Sequence, residues 1–160
     1  MHVEELSTCQ SIAELAFNFG DIAGGNTAAK DMITKGADVI YHAAGGTGNG
    51  VMNACDEAGI YGIGVDKDQR VELGLECIIT SAMKGVDVAC QDISKAVKNG
   101  TFAGGVHLYD LANDGVTFAP TTDVVSAETI EKVEAAKKAI IAGEKTVPTS
   151  AADCPAFTLG

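Results

Sequence analysis

Tryptophan is absent from this sequence, and Phe and Tyr together make up only 5% of it. A site that stacks on a flat ring must therefore use one of five Phe or three Tyr side chains. Basic residues are also scarce: 11 Lys and Arg against 22 Asp and Glu give a net charge of −11. Nucleic-acid backbone and anionic membrane both require clustered cations, so neither is expected as a partner. No apolar run approaches the ~20 residues of a membrane-spanning helix. The five cysteines (Cys9, Cys55, Cys77, Cys90 and Cys154) are scattered, with no CxxC pair and no His at zinc-finger spacing. That pattern reads as reduced, partly buried thiols rather than a disulfide frame or a metal site. Residues 6–9, LSTC, imitate the end of a lipoprotein signal. The basic start and the apolar stretch of roughly 7–15 residues that such a signal requires are missing, so no export signal is expected in this chain.

What is present is the composition of one globular domain: 160 residues, 46% hydrophobic and 21% charged. Three nearly continuous apolar runs, 37–43, 60–65 and 77–82, read as parallel strands covered on both faces. Helical patterns alternate with them. One is expected from an Asn26 cap through Lys35, with Gly36 as its terminator; a second covers 49–58 and ends at Gly59. The segment 84–99 carries an apolar stripe of Val86, Ala89, Cys90, Ile93, Ala96 and Val97 at helical spacing. Residues 104–119 read as two short strands joined by a turn at Asn113-Asp114-Gly115. A last helix runs from Ser126, its cap, to Gly143. Residues 12–19 fit helix and strand spacing equally, and the stretch after Pro148 has no period.

Strand and helix alternating at this spacing make an α/β parallel sheet, whose ligands sit at the carboxyl ends of the strands. Three loops leave those ends, at 44–49, 66–70 and 83–85, and should face one crevice. The first is HAAGGTGNG, a glycine-rich turn between strand and helix, suited to anions or polar ligand oxygens and equally to a tight turn with close helix packing. It is not a dinucleotide fingerprint, because Val51 stands where GxGxxG needs its third glycine, and GK[ST] is absent. Asp66, at the end of the second run, offers a carboxylate that can accept two hydroxyls, as on a ribose. Lys84 is read as opening a helix, against the dipole, where it is either a surface charge or a donor reaching into the crevice. Phe19 is either a ring-stacking aromatic or a core residue, and His42 reads as a satisfied core histidine. No nucleophile, base and orienting residue converge, and no GxSxG elbow occurs. The DKDQ stretch, 66–69, has too few oxygens for a hard cation. The site therefore reads as one for binding without catalysis, with no metal and no cofactor.

The stretches FGDIAGGNTAAKDMITKGADVIYHAAGGTGNGVMNACDEAGIYGIGVDKDQ, ITSAMKGVDVA and NGTFAGGVHLYDLANDGVTFAP closely resemble the basic membrane lipoproteins, the purine nucleoside receptors of ABC transporters. The resemblance covers about residues 17–148, which implies an unaligned segment at 1–16, a partial α/β domain, and a tail at 149–160. It implies a type I periplasmic-binding-protein fold, represented here mostly by its C-terminal lobe. It also implies a purine nucleoside bound between lobes, with Phe19 stacking on the base, Gly45 contributing a backbone contact, and Asp66 and Lys84 at the ribose. An ABC-transporter permease as partner and a place outside the cell, at the membrane, follow from the family.

Members of that family are about twice as long. The expectation is thus a truncated or split receptor lacking the first lobe and the opening strand and helix of the second. The opening strand would stand between the next two strands of the sheet. The strands within 104–119 would have no sheet to join, and open edges of that kind recruit partners, either a separate first lobe or a second copy. Two other functions stay open: a nucleotide-binding α/β enzyme domain using the 45–50 loop and Asp66, and an interaction remnant that binds no ligand.

Overall fold

The computed structural model describes Glu14, residues 18–120 and residues 124–148. The expectations for segment 1–16 (Glu14 apart), for the helix-or-strand choice at 12–17 and for the tail at 149–160 lie outside the described residues. In chain order the elements are α1 (Ile22–Thr34), β1 (Val39–Tyr41), α2 (Thr47–Ala58), β2 (Tyr61–Asp66), α3 (Gln69–Leu73), β3 (Ile78–Lys84), α4 (Val86–Lys98), β4 (Val116–Phe118) and α5 (Ala127–Ile141). The strands form one sheet in the order β1-β2-β3-β4, with the first two pairings parallel and the last antiparallel. This is the expected α/β fold.

The apolar runs became strands because each buries side chains against helices. Ile40 of β1 and Ile78 of β3 form one cluster with Ala29 of α1 and Val51, Met52, Ala54 and Cys55 of α2. Burial in that cluster pushes the Cys55 thiol up to about 12, and the partly buried Cys77 thiol is raised to about 11 for the same reason. Both are inert at neutral pH, as expected of packed thiols.

Three expectations need correction. The first helix begins at Ile22, capped by Asp21, whose side chain accepts the Gly24 amide. Asn26 instead lies inside α1 and donates its side-chain amide to the Gly50 carbonyl at 3.3 Å. The pair Gly24-Gly25 disguised this start, because glycine is a weak helix former whose presence there reflects packing. Lys84 does not open a helix: it is the last residue of β3, and Gly85 intervenes before α4. The segment 104–119 is not a hairpin. Its first half is irregular, a short 3-10 turn covers Leu111–Asn113, and only Val116–Phe118 is a strand. That strand does have a sheet to join, pairing antiparallel with β3 through Ala82–Phe118, Met83–Thr117 and Lys84–Val116.

The face of β1 and β2 opposite the core shows Val39, Tyr41 and Tyr61, each more than 40% exposed. Among the described residues, β1 has a neighbour on one side only. Helix α4 forms as the 3.6-residue spacing predicts, yet none of its residues is buried.

Candidate ligand-binding site

The carboxyl ends of β1, β2 and β3 open onto a cavity of about 430 Å³. Phe19, Gly45, Asp66 and Lys84 all line it, together with Tyr41 and Met83 among others. The loops following the strands thus face one crevice, as a parallel sheet requires. A larger and shallower depression, about 670 Å³, lies along α1 and α2 and shares no residue with the crevice.

The parallel register of β2 and β3 sets Asp66 beside Met83, so Lys84 follows one residue on. The Asp66 carboxylate and the Lys84 ammonium meet at 2.7 Å, and both side chains are well exposed. The hydrogen bond to Asp66 holds the Lys84 ammonium above its ordinary pKa, so it stays charged. Asp66 has φ of +69°, the left-handed region, which costs a residue with a Cβ roughly 1 kcal/mol or more. Such strain is retained where the surrounding structure dictates it, and here it falls at the strand end nearest the cavity.

The glycine loop begins with Gly45 at φ +54°, where a Cβ would also press on Phe19 at 3.2 Å. The Phe19 carbonyl in turn accepts the Thr47 amide at 3.2 Å, fixing the aromatic against the loop. Phe19 is 74% exposed, so it is a wall of the crevice rather than a core residue. Two further glycines of the stretch serve packing: a Cβ at Gly48 would overlap the His42 ring, and one at Gly50 would overlap the Ile22 carbonyl oxygen.

His42 is buried but only half satisfied. Its Nε2 lies 2.8 Å from Gln69 Oε1, and its Nδ1 has no partner. Since the same oxygen accepts the Val65 amide at 2.9 Å, the proton belongs on Nε2 and Nδ1 carries the idle lone pair. Burial pushes the imidazole below its ordinary pKa, against smaller raising effects from Gln69 and Asp66. The unfolded chain takes up a proton that the native state refuses. Stability is therefore full above the free imidazole's pKa of ~6.5 and falls as pH drops below it, by up to about 1.4 kcal/mol per pH unit. Urea midpoints measured from pH 7.5 to 5.5 should decline, and a His42→Gln variant should lack that limb.

Sequence reasoning missed two residues. Tyr41 lines the crevice at 57% exposure, but as an aromatic in an apolar run it looks like core. Gln69 is 5% exposed and hydrogen-bonded throughout, and nothing in the DKDQ spacing marks it as buried.

An open, mostly parallel sheet with an acid, an amine, an exposed ring and a glycine loop around one rim is the anatomy of a solute-binding α/β lobe. The chain belongs to the Bmp family, the PnrA-like ABC transporter substrate-binding proteins, whose family model matches residues 11–151. It is 34% identical over 151 residues to a CD4+ T-cell-stimulating antigen of Listeria monocytogenes, covering 84% of this chain and 42% of that protein. It is 35% identical over 156 residues to the ABC transporter nucleoside-binding protein BmpA of Lactococcus lactis, covering 85% and 43%. The chain thus spans less than half the length of these curated relatives.

Among solved structures, an ABC transporter solute-binding protein from Aeropyrum pernix superposes with a TM-score of 0.72 at 25% identity, covering 92% of this chain and 51% of that one. A transcriptional activator of the comK gene from Bacillus halodurans shares the fold, with a TM-score of 0.77 at 24% identity over 84% of this chain and 47% of that one.

Proposed function

We propose that this chain is a nucleoside-contacting part of an extracytoplasmic, membrane-associated receptor for an ABC transporter, acting by binding and not by catalysis. The single observation that carries this reading is the gathering of Phe19, Gly45, Asp66 and Lys84 around one crevice. In it, Phe19 stacks on a purine and the Gly45 backbone approaches the ligand without a side chain in the way. Asp66 accepts the two ribose hydroxyls, since a carboxylate has acceptors to spare after pairing with one ammonium. Lys84 orients that carboxylate and donates a second hydrogen bond to the sugar. A phosphate would meet the Asp66 charge and a chain of net charge −11, so a neutral nucleoside fits better than a nucleotide.

The crevice is open, whereas efficient sites bury roughly 70–90% of a ligand. We read it as one wall of a clamp, completed by a further lobe or a second copy seated on the open β1 edge, in contact with a transporter permease. Calorimetry of the chain alone should give a guanosine or inosine Kd of about 0.1 mM, near −5.5 kcal/mol. Inosine monophosphate, ATP and NAD should bind more weakly. A submicromolar Kd would overturn the half-site reading. Preference for the phosphorylated ligands would replace the receptor with a nucleotide-binding enzyme domain. Silence at millimolar nucleoside would leave an interaction module.

A further inference from the structure

We infer that Gln69 is the positioning residue of the crevice: its buried side-chain amide ties the glycine loop to the end of β2, and its backbone N–H fastens that tie to β3. The inference rests on the nucleoside reading for the role of the rim, but not for the existence of the tie.

Gln69 is the first residue of α3, behind the Asp68 cap. Its Oε1 accepts from the Val65 amide at 2.9 Å and from His42 Nε2 at 2.8 Å. Its Nε2 donates to Asn49 Oδ1 at 3.2 Å. Its own backbone amide, unpaired at a helix start unless something accepts it, donates to Ser81 Oγ at 3.1 Å. Room for the side chain comes from Gly64, where a Cβ would stand 2.7 Å from Gln69 Oε1.

Each anchor sits close in sequence to a residue of the crevice. Val65 immediately precedes Asp66, Asn49 follows Gly45 by four residues in the first turn of α2, and Ser81 precedes Lys84 by three. The left-handed backbone at Asp66 starts right after the amide that Gln69 holds. Through its side chain Gln69 links the end of β2 to His42 and Asn49, which flank the glycine loop, and its backbone N–H adds the hold on Ser81 of β3. With these partners as they stand, one side of the amide accepts while the other donates. Leucine would fill the space and leave the buried Val65 amide and His42 N–H without partners, the costly condition for polar groups, and would release the half-buried Asn49 side-chain oxygen.

Two variants and two readouts test this. Amide hydrogen exchange on the full chain reads the tie without any ligand, and titration with guanosine reads its consequence. In Gln69→Leu, protection of the Val65 amide and of 47–49 should fall at least about tenfold, and guanosine affinity should weaken by a similar factor. In Gln69→Glu the carboxylate still accepts from Val65 and His42, and the Asn49 amide can reverse to donate its Nδ2. Protection and affinity should therefore be largely restored. A carboxylate beside the His42 ring must also raise its titration midpoint, read from the ring nitrogen resonances. Asp66 is the other charge acting on that ring, and it is unchanged by the variant.

Gln69→Leu with native exchange and native affinity would overturn the inference. If that variant does not fold, Gln69→Glu decides: an unshifted His42 titration or lost Val65 protection overturns it. Failure of the unaltered protein to bind guanosine would sink the nucleoside reading, while the exchange measurements would still decide whether the tie exists.

Discussion

Gly50→Ala is expected to lower the unfolding free energy by about 3 kcal/mol and the Tm by roughly 10 °C. The methyl group would overlap the carbonyl oxygen of Ile22 and stand 2.8 Å from its carbonyl carbon and 2.9 Å from the Asn26 nitrogen. These are backbone atoms of α1, which cannot rotate away as a side-chain tip can. The helices must instead separate, which also breaks the hydrogen bond from Asn26 to the Gly50 carbonyl. Separation loosens the layer formed by Ala29, Val51 and Met52 over the sheet. Alanine's better helix propensity returns up to about 1 kcal/mol, so the loss is smaller than the collision alone. Gly104→Ala is the control. No atom lies within 4 Å of its added Cβ, and its stability should change by less than about 0.5 kcal/mol. Equal thermal melts for the two variants would mean that α1 and α2 do not cross at Gly50.

Asp66→Gly should separate stability from binding. Glycine accepts φ of +69° freely, so removing the strained aspartate relieves about 1 kcal/mol. The added freedom of the unfolded chain costs a comparable amount, and the exposed pair with Lys84 contributes little. The melting temperature should stay near that of the unaltered chain. Guanosine affinity, in contrast, should fall at least thirtyfold, roughly the loss of one or two hydrogen bonds to a charged acceptor. Asp66→Asn tolerates the same backbone and keeps one acceptor oxygen, so its loss should be intermediate. The Lys84 ammonium, deprived of its carboxylate in both, should titrate closer to an ordinary lysine. Unchanged nucleoside affinity in Asp66→Gly would show that the carboxylate touches no ligand, and that its strain serves only to hold Lys84.

The legible parts of the fold were those specified by neighbouring residues. β2 and β3 start one residue after the apolar runs begin and extend one or two beyond them, and α5 begins at its Ser126 cap, whose side chain accepts the Thr129 amide. The misread parts involve distant partners. The helix at α1 starts four residues before Asn26 because Asp21 supplies a cap, and because Gly50, a residue of α2, occupies the space that makes small residues useful there. The strand expected after the turn at 113–115 did form, at 116–118, but it was read as having no sheet to join, whereas β3 offered it an edge. The glycine loop was read as either a ligand cradle or a close-packed turn, whereas its residues divide between the two: Gly45 faces the cavity, and Gly48 and Gly50 accommodate His42 and Ile22.

By itself the sequence determined that strands alternate with helices, that glycines punctuate them, and that Asp66 and the glycine loop lie at strand ends. Those features depend on local spacing and on the burial of continuous apolar runs. Tertiary structure decided that Lys84 reaches Asp66, that Phe19 leans on Gly45, and that the Gln69 side chain reaches His42 and Asn49. Each of these contacts links residues many positions apart. The pairing register of adjacent strands and the crossing of two helices bring them together, and neither is written in the order of residues along the chain.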